Sequence, residues 1–206
     1  MLRALNVGEG DEVILPGYTC VMNVNPIKYI GAKPIYVDIE PDTCNIDASL
    51  IEEKITERTK AIMPVSLYGQ PADMDPILEI AKQRNLIVVE DAAEAVGAEY
   101  KGRRVGTLGR AGVFAFYPNK QITTGEGGMA LTNDPGLAEH MAMLRSHGIT
   151  RDTGRMTRAT DGPWYYEQID LGFNYRMTDL QAALGVSQME RLDGYITRRH
   201  EISERY

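Results

Sequence analysis

Leu86-Ile87-Val88-Val89-Glu90-Asp91 decides the fold: four apolar residues, three of them β-branched, run directly into two carboxylates. A run that is apolar at every position, rather than at every second one, suits a strand covered on both faces. Working outward, Ala61-Ile-Met-Pro-Val65 precedes it, and Val113-Phe-Ala-Phe116 and Met129-Ala-Leu-Thr132 come after it. Nearer the amino end, Glu12-Val-Ile-Leu15, closed by Pro16-Gly17, and Pro34-Ile-Tyr-Val37 read the same way. Helices are predicted between these strands: one terminated by Gly31, one over about 48–55 capped by Asp47, one with Asp75 as cap and Pro76 at its first position, and one from Pro135 to near His147. The expected class is α/β, a three-layer α/β/α arrangement around a mainly parallel sheet. Ligands of such sheets sit at the carboxyl ends of the strands.

The chain has 206 residues, 43% of them hydrophobic, with 22 Lys+Arg against 29 Asp+Glu, a net charge of −7. That is enough apolar material for a packed core, and it offers no positive face to a nucleic acid. Cys20 and Cys44 lack CxxC spacing and clustered histidines, which excludes a zinc motif and a disulfide framework; no metal is expected. No stretch reaches the roughly 18 consecutive apolar residues of a membrane span, so a cytoplasmic protein is expected. Met1 to Leu5 reads as the tail of a helix, Arg151 to Asp161 as an exposed loop, and Thr178 with Gln181 as a capping box. From there Leu180, Leu184, Gln188, Leu192, Tyr195, Ile196 and Ile202 recur at helical spacing to the end. A fragment is therefore expected.

Asp91 ends a buried strand, where an unpaired charge would be costly. It reads equally as a cap for a subsequent helix or as the partner of a ligand cation. Lys120 lies between Phe116-Tyr-Pro-Asn119 and the glycine-rich Gln121-Ile-Thr-Thr-Gly-Glu-Gly-Gly128. Neither GxGxxG nor GxxxxGK[ST] is present. Alone, Lys120 would be a solvated loop lysine. Together with Asp91 it makes the pair that pyridoxal phosphate chemistry needs: an amine to form a Schiff base, and an acid to keep the pyridinium protonated as an electron sink.

Six blocks then occur in order: Gly10-Asp-Glu-Val13; Gly31-Ala-Lys-Pro34 with Val37-Asp-Ile39; Tyr68-Gly-Gln-Pro-Ala-Asp-Met-Asp75; Glu90-Asp-Ala-Ala-Glu-Ala-Val-Gly97; Asn119 to Gly128; and Leu171-Gly-Phe-Asn-Tyr-Arg-Met-Thr-Asp179. Together they closely resemble the DegT/DnrJ/EryC1/StrS family of sugar aminotransferases, essentially from end to end. The resemblance implies the large domain of a fold-type I, pyridoxal 5′-phosphate-dependent aminotransferase, spanning residues 1–206. That domain would be truncated at its amino end and would end in the long helix leading to a small carboxy-terminal domain.

By the same resemblance, Lys120 is the catalytic lysine and Asp91 the pyridinium partner. Glu94 stands near the cofactor's phenolic oxygen, where relatives often have Gln or His. Thr19 and Cys20 are cofactor positions, Cys20 replacing a frequent ring-stacking aromatic. Ala115 stands where a phosphate-binding Ser is frequent, and Ser66 where relatives often have His. Asn174 reaches the partner subunit's cofactor phosphate in a homodimer with shared sites. Tyr68, Tyr117, Trp164 and Tyr166 are candidate substrate residues, although an aromatic cluster such as 164–166 also suits packing.

The implied reaction is ping-pong transamination, with glutamate as amino donor and a nucleotide-linked ketosugar as acceptor. Residues 151–168 most resemble members acting on UDP-linked 4-keto-6-deoxy-N-acetylhexosamines. The isolated chain is expected to bind the cofactor weakly and to turn over poorly. Two alternatives stand: a non-catalytic cofactor-binding or dimerisation module, and the related sugar dehydratases, whose lysine is replaced by His and against which Lys120 argues.

Overall fold

The computed structural model describes residues 1–158 and 162–206. In chain order these form β1 (Glu12–Pro16), α1 (Val21–Tyr29), β2 (Lys33–Val37), β3 (Thr59–Ile62), α2 (Met74–Arg84), β4 (Ile87–Asp91), β5 (Glu99–Tyr100), β6 (Arg103–Arg104), β7 (Ala111–Ala115), β8 (Gly128–Leu131), α3 (Pro135–Arg145), β9 (Ile149–Thr150), β10 (Glu167–Gln168), α4 (Asp179–Met189) and α5 (Leu192–Ser203). The main sheet runs β2-β1-β3-β4-β7-β8. Its neighbours are parallel except for β7 and β8, which pair antiparallel from Gly112–Leu131 to Ala115–Gly128. The expected three-layer α/β architecture is therefore what this sequence builds.

Strand geometry makes the layers. Successive side chains point to opposite faces of a strand, and here both faces are apolar. Val13, Leu15, Ala61, Met63, Val89 and Ala111 pack with Ile27 of α1 and with Leu137 and Leu144 of α3. The alternate residues Ile14, Ile62 and Val88 pack on the other side with Met74, Ile77 and Ala81 of α2. The chain leaves β1 for β2 on one side and returns to β3 on the other, so the order reverses beside β1, where open α/β sheets place their ligands.

Several boundaries differ from the sequence expectations. Residues 48–55 form two short 3-10 turns, Ala48–Leu50 and Glu52–Lys54, rather than a helix. The Asp47 carboxylate accepts from the Ser49 amide at 2.9 Å and caps only the first of them. Helix α2 begins at Met74, with Asp73 rather than Asp75 at the cap position; Asp75 instead pairs with the Lys101 ammonium. Met1 to Leu5 contributes a 3-10 turn, Leu2–Leu5.

The capping box at Thr178 forms as expected, but the long terminal helix is two helices separated at Glu190 and Arg191. Leu180, Leu184 and Ile202 remain exposed rather than packed. The expected loop at 151–161 is mostly exposed and without helix or strand over residues 151–158; its last three residues lie outside the described ones.

Candidate active site

Four neighbouring strands deliver the site. After β1 comes Gly17-Tyr18-Thr19-Cys20, after β3 the segment to Tyr68, after β4 Asp91 to Glu94, and after β7 the connection carrying Lys120. Hydrogen bonds link the four in strand order. The Tyr18 and Tyr68 hydroxyls lie 2.8 Å apart, the Tyr68 amide donates to Glu94 Oε2 at 3.0 Å, and Lys120 Nζ donates to Glu94 Oε1 at 3.0 Å. The loops thus hold one another across the carboxyl edge of the sheet.

The Lys120–Glu94 ion pair is half withdrawn from water, its side chains 18% and 34% exposed. Burial disfavours the Glu94 carboxylate, but the Lys120 ammonium and the Tyr68 amide outweigh it and hold Glu94 below the ordinary carboxylate range. The Gln121 side-chain amide donates to the Glu94 carbonyl oxygen, so the residue after the lysine grips the same turn. Its own Oε1 is buried without a hydrogen-bond partner among the described residues. The hydrogen bond with Tyr18 raises the Tyr68 phenol above its ordinary value, so this hydroxyl keeps its proton at neutral pH.

Glu90 and Asp91 divide sharply. Glu90, 1% exposed, accepts from the amides of Gly106, Leu108 and Gly109 at 2.7, 2.6 and 2.7 Å. Asp91 accepts from the Ala93 amide at 2.9 Å; the next residues form a turn and not a helix, so the capping alternative fails. No other side-chain hydrogen bond reaches its carboxylate among the described residues, which leaves acceptor capacity at the strand end. Asp91 also lines a cavity of about 990 Å³ bounded by α1, α3 and β8, with Asn23, Met63, Val113 and Tyr175 on its walls. Lys120 does not line that cavity, so the lysine and this acid are related through Glu94 and the β4–β7 pairing rather than through a common wall.

The remaining candidates occupy varied surroundings. Thr19 Oγ1 accepts from Asn23 Nδ2 at 2.7 Å. Cys20 is exposed at the amino-terminal cap position of α1 and makes no capping bond. Tyr117 is exposed three residues before Lys120. Trp164 and Tyr166 are exposed, the latter under the Arg151 guanidinium at 5.9 Å, on a segment that no described hydrogen bond ties to Lys120 or Glu94.

Asn174 is exposed and bridges to Ser146. Its segment is pressed against the end of α3 through two glycines: a Cβ on Gly148, whose φ is +70°, would strike the Asp170 carbonyl, and one on Gly172 would strike the Gly148 amide. Arg176 is exposed beside it.

Sequence reasoning missed Tyr18, whose partner lies 50 residues away, and the buried Asn45. The Asn45 side chain donates to the Gln70 and Pro71 carbonyls at 3.1 and 3.2 Å and accepts from the Leu67 amide at 3.1 Å, so it fixes the segment that presents Tyr68. Tyr68 needs that support because its φ of +55° is unfavourable for a residue with a Cβ. Gln121 carried a usable signal, its adjacency to Lys120.

An amine and two carboxylates thus stand at the carboxyl ends of adjacent strands, beside a glycine-rich turn. The family described as DegT/DnrJ/EryC1/StrS aminotransferases matches residues 1–206. GDP-perosamine synthase of Caulobacter vibrioides is 51% identical over 201 residues, covering 98% of this chain and 51% of that protein. The X-ray structure of an aminotransferase from Psychrobacter cryohalolentis superimposes with a TM-score of 0.86 at 41% identity, over 92% of this chain and 48% of that one. Helicobacter pylori PseC, an aminotransferase involved in the biosynthesis of pseudoaminic acid, gives 0.82 at 32% identity, over 90% and 47%. The chain spans about half the length of the curated relatives it matches. Sheet order, lysine connection and full-length match agree: this chain belongs to the DegT/DnrJ/EryC1/StrS aminotransferase family.

Proposed function

We propose that this chain supplies the cofactor-binding part of a sugar aminotransferase, which moves an amino group from glutamate to a nucleotide-linked ketosugar. The observation that carries the reading is the Lys120 amine held on Glu94 at 3.0 Å, one strand from the open carboxylate of Asp91. The family works with pyridoxal phosphate, and the residues present fit that group: an amine, an acid with spare acceptor capacity, and in Gln121 Oε1 a buried acceptor still lacking a donor among the described residues.

When bound, pyridoxal phosphate supplies an electron-withdrawing ring that stabilises negative charge on a neighbouring carbon. The protein's work is positional and protonic. Asp91 presents negative charge to a ring nitrogen cation. Lys120, once neutral, takes and returns a proton at Nζ. The hydroxyls of Tyr18, Tyr68 and Tyr117, all on exposed side chains at this edge, offer hydrogen bonds to a sugar. Thr19 and Cys20 bound the cofactor side, and Trp164 and Tyr166 are assigned to a more distant substrate subsite.

Asn174, exposed on a segment welded to α3, serves a second subunit's cofactor phosphate in a homodimer. The exposed Leu180, Val186 and Met189 of α4 supply apolar surface for such pairing. The 51% identity to a GDP-perosamine synthase supports a guanosine diphosphate-linked ketosugar over the UDP-linked one that residues 151–168 suggested. We place the protein in the cytoplasm; among the described residues no helix is long and apolar enough to cross a membrane.

The test is spectroscopic. Added pyridoxal phosphate should give a yellow absorbance that glutamate bleaches, and borohydride should fix the cofactor's mass on Lys120. An adduct elsewhere, or one that glutamate leaves untouched, overturns the reading.

A further inference from the structure

Glu94 is an unusual neighbour for an amine that must become a nucleophile, because a carboxylate favours the ammonium form that has no lone pair to give. We propose that Glu94 takes the Lys120 proton at the moment the amine becomes nucleophilic, so that the two residues form one proton store. This rests on the reading that Lys120 bonds to the aldehyde of pyridoxal phosphate.

The geometry gives the proton a direct acceptor. Lys120 Nζ and Glu94 Oε1 are in direct contact at 3.0 Å. The carboxylate cannot turn aside, because Oε2 is held by the Tyr68 amide at 3.0 Å and the main chain of Glu94 is gripped by Gln121. Among the described residues no other ionisable side chain of these loops is hydrogen-bonded to the Lys120 amine. The Tyr68 hydroxyl is bonded to that of Tyr18, Cys44 acts on the Tyr68 phenol, and Asp91, although it keeps acceptor capacity, makes no hydrogen bond with Lys120 among the described residues. Among the described residues Lys120 is the one cation paired with Glu94.

The store is self-adjusting. While the ammonium is present it helps to offset the penalty of burying the Glu94 carboxylate; once the proton leaves, only the Tyr68 amide still opposes that penalty, and the balance moves toward the protonated acid. The step balances. One ammonium proton passes to Glu94 Oε1, the freed lone pair on Nζ attacks the aldehyde carbon, and the carbonyl oxygen leaves as water with the two remaining Nζ hydrogens as a C=N bond replaces C=O. No oxidant or reductant is involved.

Proton counting tests it. The chain is mixed with pyridoxal phosphate in weak buffer containing a pH indicator, and protons released are counted per C=N bond formed, read from the visible absorbance. Lys120→Ala serves as the blank for other lysines. Glu94→Gln keeps an oxygen for the Tyr68 amide but cannot store the proton, so it should release about one proton more per bond than the native chain. Equal proton counts with normal absorbance overturn the proposal and leave the functional reading intact. Absence of Lys120-dependent absorbance in the native chain overturns both. If the variant fails to fold, the native chain with ¹³C-labelled glutamate answers alone: a protonated-carboxyl infrared band should grow with the absorbance, and its absence overturns the proposal.

Discussion

Glu90 and Asp91 are consecutive on β4 yet have opposite fates: the Glu90 carboxylate is saturated by three backbone amides, whereas Asp91 accepts from one. Strand alternation explains it. One side chain points into the layer where the 106–109 turn closes over the sheet; the other points to the opposite face, at the ligand-bearing edge. The buried acid is structural, and the half-buried one is available for chemistry.

Glu90→Ala should therefore lower stability by about 3 kcal/mol or more, since three buried amides lose a charged acceptor. Glu90→Gln should fall between, because one oxygen can still serve the Leu108 and Gly109 amides while its NH₂ group faces that of Gly106. Urea unfolding of the three proteins checks the order.

Replacing Lys120 separates chemistry from folding. Lys120→Ala should reduce transamination on the order of 10²- to 10⁴-fold and abolish the borohydride-fixed adduct. Its unfolding free energy should change by less than about 1 kcal/mol, because Glu94 still reaches water. Activity assays beside thermal melts read both.

Asn45 is buried and, among the described residues, hydrogen-bonds to none of the candidate cofactor residues, yet it braces the turn that strains Tyr68 into a positive φ. Asn45→Ala should cost about 2–3 kcal/mol for the unsatisfied groups left behind. It should also raise KM for the sugar more than it lowers kcat, as steady-state kinetics on the folded variant would show.

At the opposite edge of the sheet, buried Glu12 is held below the ordinary carboxylate range: the Thr56 hydroxyl at 2.6 Å and the Arg58 guanidinium at 2.9 Å outweigh its desolvation. A depressed native value means that the stabilisation is complete above the unfolded value of 4.5 and is lost as pH falls below it. Glu12→Gln should be less stable at neutral pH and should lose less on acidification, as denaturant midpoints between neutral and acid pH would reveal.

What was legible in the sequence was local. The run from Leu86 to Asp91, the capping box at Thr178 and the glycine-rich stretch after Lys120 each carry their signal within a few residues, and each took the expected form. Features that depend on distant partners were not legible. Asp47 looks like a helix cap, but its segment collapses into 3-10 turns that bury Ile51 against α2 and the sheet. Glu90 receives its donors from a turn 16 to 19 residues later, and Tyr18 meets Tyr68 across 50. The break at Glu190 and Arg191 lies inside an unbroken helical pattern, which periodicity cannot see. The motif blocks located Lys120, Asp91 and Glu94, but only the coordinates joined the last of these to the lysine.

The antiparallel turn from β7 to β8 restrains the lysine it carries. Residues 116–127 leave and re-enter the sheet on paired strands. The connection is sewn to itself by Phe116 and Gly127 at 2.9 Å, by Thr124 and Phe116 at 3.0 Å, and by the buried Ile122. Lys120 is thus confined to a small volume rather than swung on a free loop. On the proposed reading its amine would meet a bound aldehyde at an effective molarity far above that of a solution lysine, and the lysine's own loss of freedom is settled when the chain folds.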